Sequence, residues 1–178
     1  ELAAQVVDSG TRLLVTLDAP ALLPTAVEVL DTSPLEHLFV VRLSDELPRV
    51  KSLGLRLLKR SQIARLPKRD DVTVWNALLG DWDWARWLNG EEPDLPEAVP
   101  SDLALLQYTG GTTGTPKGAM LTHANLSSNA QQVDLIDPFD RAERDVILGA
   151  LPLFHVFANT CVLNRTVVRG GCMALLPR

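Results

Sequence analysis

The residues best suited to chemistry in this sequence form one stretch, YTGGTTGTPKG, from Tyr108 to Gly118. It holds four glycines, with threonines between them and a lysine at position 117. Glycines let a backbone approach a ligand closely, and successive N–H groups and hydroxyls then surround an anion. Lys117 adds a positive charge, and Pro116 stiffens the exit from the loop. These residue types in this order predict a loop that binds the phosphates of a polyphosphate.

The stretch departs from the common P-loop pattern, GxxxxGK[ST]. Pro116 stands where that pattern has the glycine before lysine, and Gly118 stands where it has a magnesium-binding hydroxyl. A glycine-rich hairpin without a ligand is the structural alternative. The density of glycines and hydroxyls after an apolar run favours the phosphate-binding interpretation.

The stretch resembles the phosphate-loop signature of adenylate-forming enzymes, which include acyl-CoA synthetases, luciferases and adenylation domains of peptide synthetases. Its wider context, LALLQYTGGTTGTPKGAMLTHANL, is most similar to bacterial long-chain fatty-acid–CoA ligases. ALPLFHVFANT (Ala150 to Thr160) and the opening ELAAQVVDSGTRLLVT resemble further family segments, in the family's order. Because family members are several-fold longer, the resemblance implies a fragment of the N-terminal domain, truncated on both sides.

The resemblance implies that a fatty acid is activated with ATP, accompanied by Mg²⁺, to an acyl-adenylate and then transferred to coenzyme A. The family's ribose-binding aspartate and catalytic lysine would lie beyond Arg178, so the fragment alone is expected to be inactive. Lys117 would lie near the β- and γ-phosphates of ATP. The loop residues expected to hold these phosphates are Thr109, Gly110, Gly111, Thr112, Thr113 and Gly114.

His155 is the second candidate site residue, and it lies between Phe154 and Val156. One interpretation is a buried histidine with a single hydrogen-bond partner. The other, which the resemblance favours, places His155 in the wall of the acyl-binding tunnel near the reacting carboxylate, with Phe154 and Phe157 lining the tunnel. The residues predict no metal-binding set.

The elements ahead of the phosphate loop predict an α/β fold. Short apolar runs at Leu13–Leu17 and Leu38–Leu43 are typical of buried strands. A helix tail at Glu1–Ser9 and a helix at Ala21–Leu30, with Asp18 as its cap, alternate with them. This alternation predicts mostly parallel sheet segments flanked by helices.

The second half of the chain continues the pattern. A strand at Leu103–Tyr108 leads into the loop, which Ala119–Leu121 follows, and Thr122 is expected to cap a helix that runs to about Val133. The elements expected after it are a buried strand at Val146–Leu151, a helix at Phe154–Val168 and a strand at Met173–Leu176. Three regions are predicted: a βαβ-type segment (1–47), a basic, Trp-rich and then acidic insert (48–101), and the loop and acyl-pocket segment (102–178).

The segment from Arg49 to Arg69 carries eight of the seventeen basic residues of the chain and no acidic one. Four of its apolar residues share one helical face: Val50, Leu53, Leu57 and Ala64. A basic, partly apolar surface of this kind suits an anionic membrane, and the Trp-rich stretch beside it suits an interface as well. The alternative is a solvated amphipathic helix packed on the domain.

The net charge and the cysteine content limit the cellular locations and the classes of partner that fit this sequence. The formal net charge is −5, which disfavours a nucleic-acid partner. Cys161 and Cys172 match no ligand or redox spacing, which indicates a reduced, cytoplasmic protein. The charge-free run Val146–Asn164 is interrupted by Pro152 and polar residues, which favours a strand, a turn and a helix over a membrane span. The association with a membrane that we expect is peripheral attachment to the inner membrane face.

Two further functions stay open at this stage. A ligase for another carboxylic acid, aromatic or short-chain, would share the same loop, because acyl-chain length is decided elsewhere. A non-catalytic nucleotide-binding module would account for the incomplete site. The sequence leaves the oligomeric state open.

Overall fold

The computed structural model describes residues 1–80, 89–90, 96–109, 116–136 and 145–176. It divides into two compact units, Glu1–Leu95 and Pro96–Arg178. The predicted α/β fold is confirmed in both, since each contains parallel strands and helices.

The first unit begins with helix α1 (Leu2–Ser9), strand β1 (Leu13–Leu17), helix α2 (Leu23–Thr32) and strand β2 (His37–Val41). Strand β3 (Val72–Val74) completes a parallel sheet in the order β1-β2-β3. Gly10 ends α1 in the left-handed conformation at φ 64°, which is why a glycine stands there. The predicted helix Glu1–Ser9 and strand Leu13–Leu17 are therefore confirmed.

The core of the first unit lies between α2 and the sheet. Leu38 and Val40 of β2 are completely buried, and they pack with apolar residues of α1, α2 and the loop before β2. The other members of this core are Val6, Leu23, Ala26, Val29, Leu30 and Leu35. Alternating residues of β1 remain exposed, as expected for an edge strand with one covered face.

Asp18 does not cap α2, and that prediction is wrong. Helix α2 begins two residues later than expected and has no side-chain cap. The Asp18 side chain is buried at the end of β1, where its Oδ1 accepts a hydrogen bond from Leu43 N at 2.9 Å. Its backbone carbonyl accepts a second bond from Ala64 N. Asp18 therefore joins the end of β1 to the two segments that follow β2 and α3.

Helix α3 (Arg49–Leu58) and a 3₁₀ turn (Arg60–Gln62) form the basic segment, and helix α4 (Trp75–Gly80) follows β3. The helical face predicted to run from Val50 to Ala64 is too long, because α3 ends at Leu58. Ala64 instead packs against the core. Of the four tryptophans, Trp75 makes an edge contact with Phe39, with ring centroids 6.2 Å apart, whereas Trp82, Trp84 and Trp87 lie outside the described residues.

Arg69 ties α2 to the start of β3. Its guanidinium donates two hydrogen bonds to the Asp71 carboxylate and one to Asp31 of α2. The two bonds from Arg69 to Asp71 hold the pKa of the Asp71 carboxyl below its usual value, against a smaller opposing effect of burial.

The second unit contains an antiparallel hairpin, strands β4 (Leu103–Thr109) and β5 (Lys117–Thr122), followed by helix α5 (His123–Leu135). Strands β6 (Val146–Gly149) and β7 (Cys172–Leu175) pair in parallel. Between them lie helix α6 (Val156–Ala158), a π-helical segment (Asn159–Asn164) and helix α7 (Arg165–Arg169). The predicted order of strands and helices is confirmed, with the single long helix replaced by three short parts.

The prediction of a buried strand in this unit is wrong. The strand at 146–149 is not buried on both faces, since Val146 and Leu148 are more than half exposed. Asp145, directly before this strand, is 8% exposed. Arg165 of α7 approaches its carboxylate to 4.0 Å and reaches Asp134 of α5 at 3.8 Å, so ionic contacts join β6, α5 and α7.

In the ranges given above, none of the helices combines the length and the apolar character needed to cross a membrane.

The buried carboxylate of Asp18 gives a stability prediction. Asp18→Ala removes the acceptor of the Leu43 N–H, and loss of this hydrogen bond should cost about 0.5–1.5 kcal/mol in the free energy of unfolding. Asp18→Asn keeps a carbonyl oxygen at this place and should lose less. Urea denaturation of the purified protein measures both, with Asp70→Ala, at an exposed position, as control. Equal stability of Asp18→Ala and the control would contradict the assignment.

Candidate phosphate-binding and acyl-binding site

The hairpin β4–β5 holds both ends of the predicted phosphate loop. Thr109 is the last residue of β4 and lies directly opposite Lys117, the first residue of β5. Both are exposed. Gly110, Gly111, Thr112, Thr113 and Gly114 lie outside the described residues. A hydroxyl and an ammonium group are thus brought together at the point where the loop leaves and re-enters the hairpin.

Tyr108 packs directly on Gly118, its cross-strand partner. A Cβ atom built on Gly118 would lie 3.1 Å from Cζ of the Tyr108 ring, closer than ordinary van der Waals contact. Glycine at position 118 therefore lets the ring lie flat across the hairpin. This contact, which the sequence analysis missed, explains in part why a glycine follows Lys117 where a P-loop has a hydroxyl.

The helix after the hairpin begins as predicted. Thr122 caps α5, because its Oγ1 accepts from Asn125 N at 3.2 Å while Asn125 Oδ1 accepts from Thr122 N at 2.9 Å. This reciprocal capping box fixes the direction in which the chain leaves β5. His123 donates its backbone N–H to the Asp102 carbonyl. No catalytic role is assigned to the His123 side chain.

His155 is exposed, so the structure does not support the interpretation of a buried histidine. Its backbone N–H donates to the Pro152 carbonyl at 3.0 Å, and its ring Nδ1 accepts from Phe157 N at 3.3 Å. Because Nδ1 is the acceptor, the proton of the neutral ring is assigned to Nε2. The ring is thereby left with an N–H donor that its own backbone does not use.

The aromatic neighbours of His155 are exposed as well. Phe154 is 79% and Phe157 is 56% exposed. The residues that follow point inward instead: Ala158, Val162 and Thr166 are buried. The π-helical segment is tied to α5 by a hydrogen bond from Thr160 Oγ1 to Asn129 Oδ1, and Arg169 bonds to Asp134. The residues from Phe154 to Phe157, which we call the His155 segment, therefore form an apolar surface that faces outward. The helical residues that follow them are buried or bonded to α5 and hold this surface in place.

Gln107 connects the two candidate regions. Its Nε2 donates a hydrogen bond of 3.1 Å to the carbonyl of Phe154. In the sequence, Gln107 stands out only as a polar residue within the apolar run of β4, two positions before Thr109. The structure thus brings β4, the strand that leads into the predicted phosphate loop, into direct contact with the carbonyl of Phe154 through one side chain.

Other features of the described residues do not compete with this site. Within the described ranges, no three His, Cys, Asp or Glu side chains converge as metal ligands. An open cavity of about 440 Å³ beside β1 is apolar, lined among others by Leu14, Leu17 and Ala26, and contains none of the predicted site residues.

Comparison with known proteins identifies the class. Residues 1–178 match the AMP-binding enzyme family, and the chain belongs to it. The long-chain-fatty-acid–CoA ligase of Escherichia coli O6:H1 is 34% identical over 168 residues, which cover 92% of this chain and 28% of the ligase. The 4-coumarate–CoA ligase 1 of Oryza sativa subsp. japonica is 40% identical over 106 residues, 58% of this chain and 19% of that ligase. The chain thus spans less than a third of the length of these relatives.

A solved structure supports the fold. The anthranilate CoA ligase AuaEII, in complex with anthranoyl-AMP, superposes with a TM-score of 0.64 at 18% identity. The match covers 99% of this chain and 28% of that one. At this identity the likeness establishes a shared fold.

Proposed function

We propose that the chain is part of a cytoplasmic fatty-acid–CoA ligase, with a fatty acid, ATP and coenzyme A as substrates. The carboxylate oxygen of the fatty acid attacks the α-phosphorus of ATP, and pyrophosphate leaves. The sulfur of coenzyme A then attacks the acyl carbon, and AMP leaves. The observation that carries the proposal is the hairpin that sets Thr109 opposite Lys117 at the ends of the glycine-threonine loop.

The loop's role is to stabilise the charge that develops on the leaving pyrophosphate. Donors fixed in advance around such a charge are commonly the largest source of rate enhancement. Thr109 and the loop from Gly110 to Gly114 supply N–H and hydroxyl donors in this proposal, and Lys117 supplies a positive charge. The ammonium group is exposed and carried on a flexible stem, which suits contact with a mobile phosphate chain.

The described residues offer no ligand set for Mg²⁺. Magnesium is usually bound through substrate phosphates and few carboxylates. Any Mg²⁺ would therefore accompany ATP, and no step is assigned to the ion here.

His155, Phe154 and Phe157 form the acyl side of the proposed site. The Nε2–H of His155 is a donor for a carboxylate oxygen, and the two phenylalanines offer apolar surface to the acyl chain behind that carboxylate.

A ligase for an aromatic acid is the second candidate, and the similarity to the rice 4-coumarate–CoA ligase favours it. The E. coli relative covers 92% of the chain against 58% for the rice enzyme, which supports the fatty-acid ligase first. ATP–pyrophosphate exchange by the full-length protein with fatty, aromatic and short-chain acids separates the two. Absence of exchange with every acid would favour a non-catalytic nucleotide-binding module.

A second surface suggests an anionic membrane as an additional partner of the ligase. Helix α3 is anchored by Leu55, which is 8% exposed, and by Arg56, which binds Asp45 and Ser44. Its opposite face is apolar and open, with Val50 84%, Leu53 58% and Leu57 70% exposed. The basic residues that accompany this face and are also exposed are Arg49, Lys51, Lys59 and Arg60. Apolar side chains that enter a bilayer beside cations that face its headgroups match this arrangement.

The first prediction from the proposal concerns the loop. Gly111→Val adds a branched side chain where phosphate oxygens must approach the backbone, and ATP–pyrophosphate exchange by the full-length ligase should fall at least about 100-fold. Gly54→Val in α3 is the matched control, because a Cβ there meets no atom within 4 Å. A folded Gly111→Val variant with the activity of the control would refute the loop assignment.

The second concerns His155. His155→Ala should lower the exchange rate about 10-fold or more, as expected for loss of one well-placed donor. The change in the free energy of unfolding should stay near about 1 kcal/mol, the worth of the cap on Phe157 N. His123→Ala, another exposed histidine, serves as control. If activity and stability fell in proportion, a structural role for His155 would be the better account.

The third concerns α3 and is measured by co-sedimentation with phosphatidylglycerol or phosphatidylcholine vesicles. Binding should require the anionic lipid and weaken with salt. Lys59→Glu should reduce the binding constant about 5-fold or more, because each basic residue near such a surface contributes about 1 kcal/mol. Arg42→Glu, a charge reversal at an exposed position outside α3, is the control. Binding that ignores lipid charge, or equal losses in both variants, would count against this surface.

A further inference from the structure

The side chain of Gln107 lies on the same face of the hairpin as the candidate phosphate-binding residues. Thr109 is two positions further along β4, and side chains two apart along a strand share a face. Lys117 and Ala119 lie directly opposite Thr109 and Gln107 across the hairpin. Because the pairing is regular from Leu105 to Thr109, this face carries Gln107, Thr109 and Lys117 together.

From this face Gln107 reaches the His155 segment. Its Nε2 lies 3.1 Å from the carbonyl oxygen of Phe154 and 3.5 Å from that of Tyr108. The shorter bond joins residues 47 positions apart. The carbonyl that it holds belongs to the peptide unit from which the backbone N–H of His155 extends. The amide of Gln107 therefore restrains the backbone on which the histidine ring is mounted.

We infer that Gln107 is a positioning residue for the adenylation step, which sets the distance between the acyl carboxylate and the α-phosphate of ATP. The inference rests on the proposed function. The hairpin carries the phosphate side and the His155 segment carries the carboxylate side, and Gln107 joins them. Attack on the α-phosphorus requires the reacting atoms to lie about 3–3.5 Å apart, and an error of about 1 Å costs up to about 100-fold in rate.

A positioning role predicts a difference between the two half-reactions. The joining of carboxylate and phosphate depends on their separation, whereas a preformed acyl-adenylate already contains that bond. Transfer of its acyl group to coenzyme A should therefore not depend on Gln107. A merely structural role would affect both half-reactions together with stability.

The test uses Gln107→Glu and Gln107→Leu in the full-length ligase. Glutamate keeps the shape but cannot donate to the Phe154 carbonyl when ionised, and leucine removes the donor without adding charge. Both variants should lower ATP–pyrophosphate exchange about tenfold. Both should convert synthetic acyl-adenylate to acyl-CoA at a rate within about twofold of the unaltered enzyme, the change expected for loss of at most a weak contact. Gln131→Glu, on an exposed position of α5, controls for the added charge and should leave both rates unchanged.

The possible results distinguish a failure of the inference about Gln107 from a failure of the proposed function. Exchange by the unaltered ligase, with loss confined to exchange in both Gln107 variants, supports the inference. An equal loss in both half-reactions, or exchange as fast as in Gln131→Glu, overturns it while the proposed function stands. Absence of exchange in the unaltered protein with every acid overturns both.

Discussion

A loop that binds phosphate through its backbone needs both ends fixed. Otherwise the loss of conformational entropy on ordering the loop offsets the favourable free energy of binding. The β4–β5 hairpin meets this requirement for the loop that is proposed to bind phosphate. Paired strands hold Thr109 against Lys117, and the Tyr108 ring lies across Gly118 just behind them. The capping box at Thr122 then fixes the chain where it leaves the hairpin. The conformational entropy lost by the loop is thereby limited to the few residues between two rigid ends.

The helical segment behind His155 meets the complementary requirement for the proposed acyl side of the site. A side chain that must face a ligand needs a backbone held from the other side. Burial of Ala158, Val162 and Thr166, together with the ionic contacts of Arg165 and Arg169 to Asp134, holds it here. A π-helical turn widens the helix between the exposed and the anchored parts. Such turns are frequent at functional sites, since they change the direction of neighbouring side chains.

Local patterns in the sequence predicted the helices and strands more accurately than the contacts between residues that are distant along the chain. The short apolar runs of β1 and β2, the Gly10 stop of α1 and the Thr122 cap depend on nearby residues alone, so they could be read from the sequence. The roles of Asp18 and Asp145 could not, because their partners, Leu43 and Arg165, lie about 20 or more positions away and are brought close only by the fold. The contact of Gln107 with Phe154 could not be predicted for the same reason, since the two residues are 47 positions apart. The candidate site residues lie in recognisable motifs, whereas Gln107 differs from its neighbours in β4 only in being a polar residue within an apolar run.

Two exposed apolar surfaces among the described residues differ in the charges beside them. The open faces of β1 and β6 are apolar strand surfaces, with Leu13, Val15, Val146 and Leu148 exposed. Surfaces of this kind usually pack against further secondary structure, and the chain spans only 28% of its E. coli relative. The open face of α3 differs, because basic residues flank its apolar residues in a segment free of acidic ones. Burial in a protein core would remove these cations from water at a high cost in free energy, whereas an anionic bilayer accepts apolar side chains and cations together. This charge pattern is the reason why a membrane is proposed as a partner for α3 and not for the strand faces.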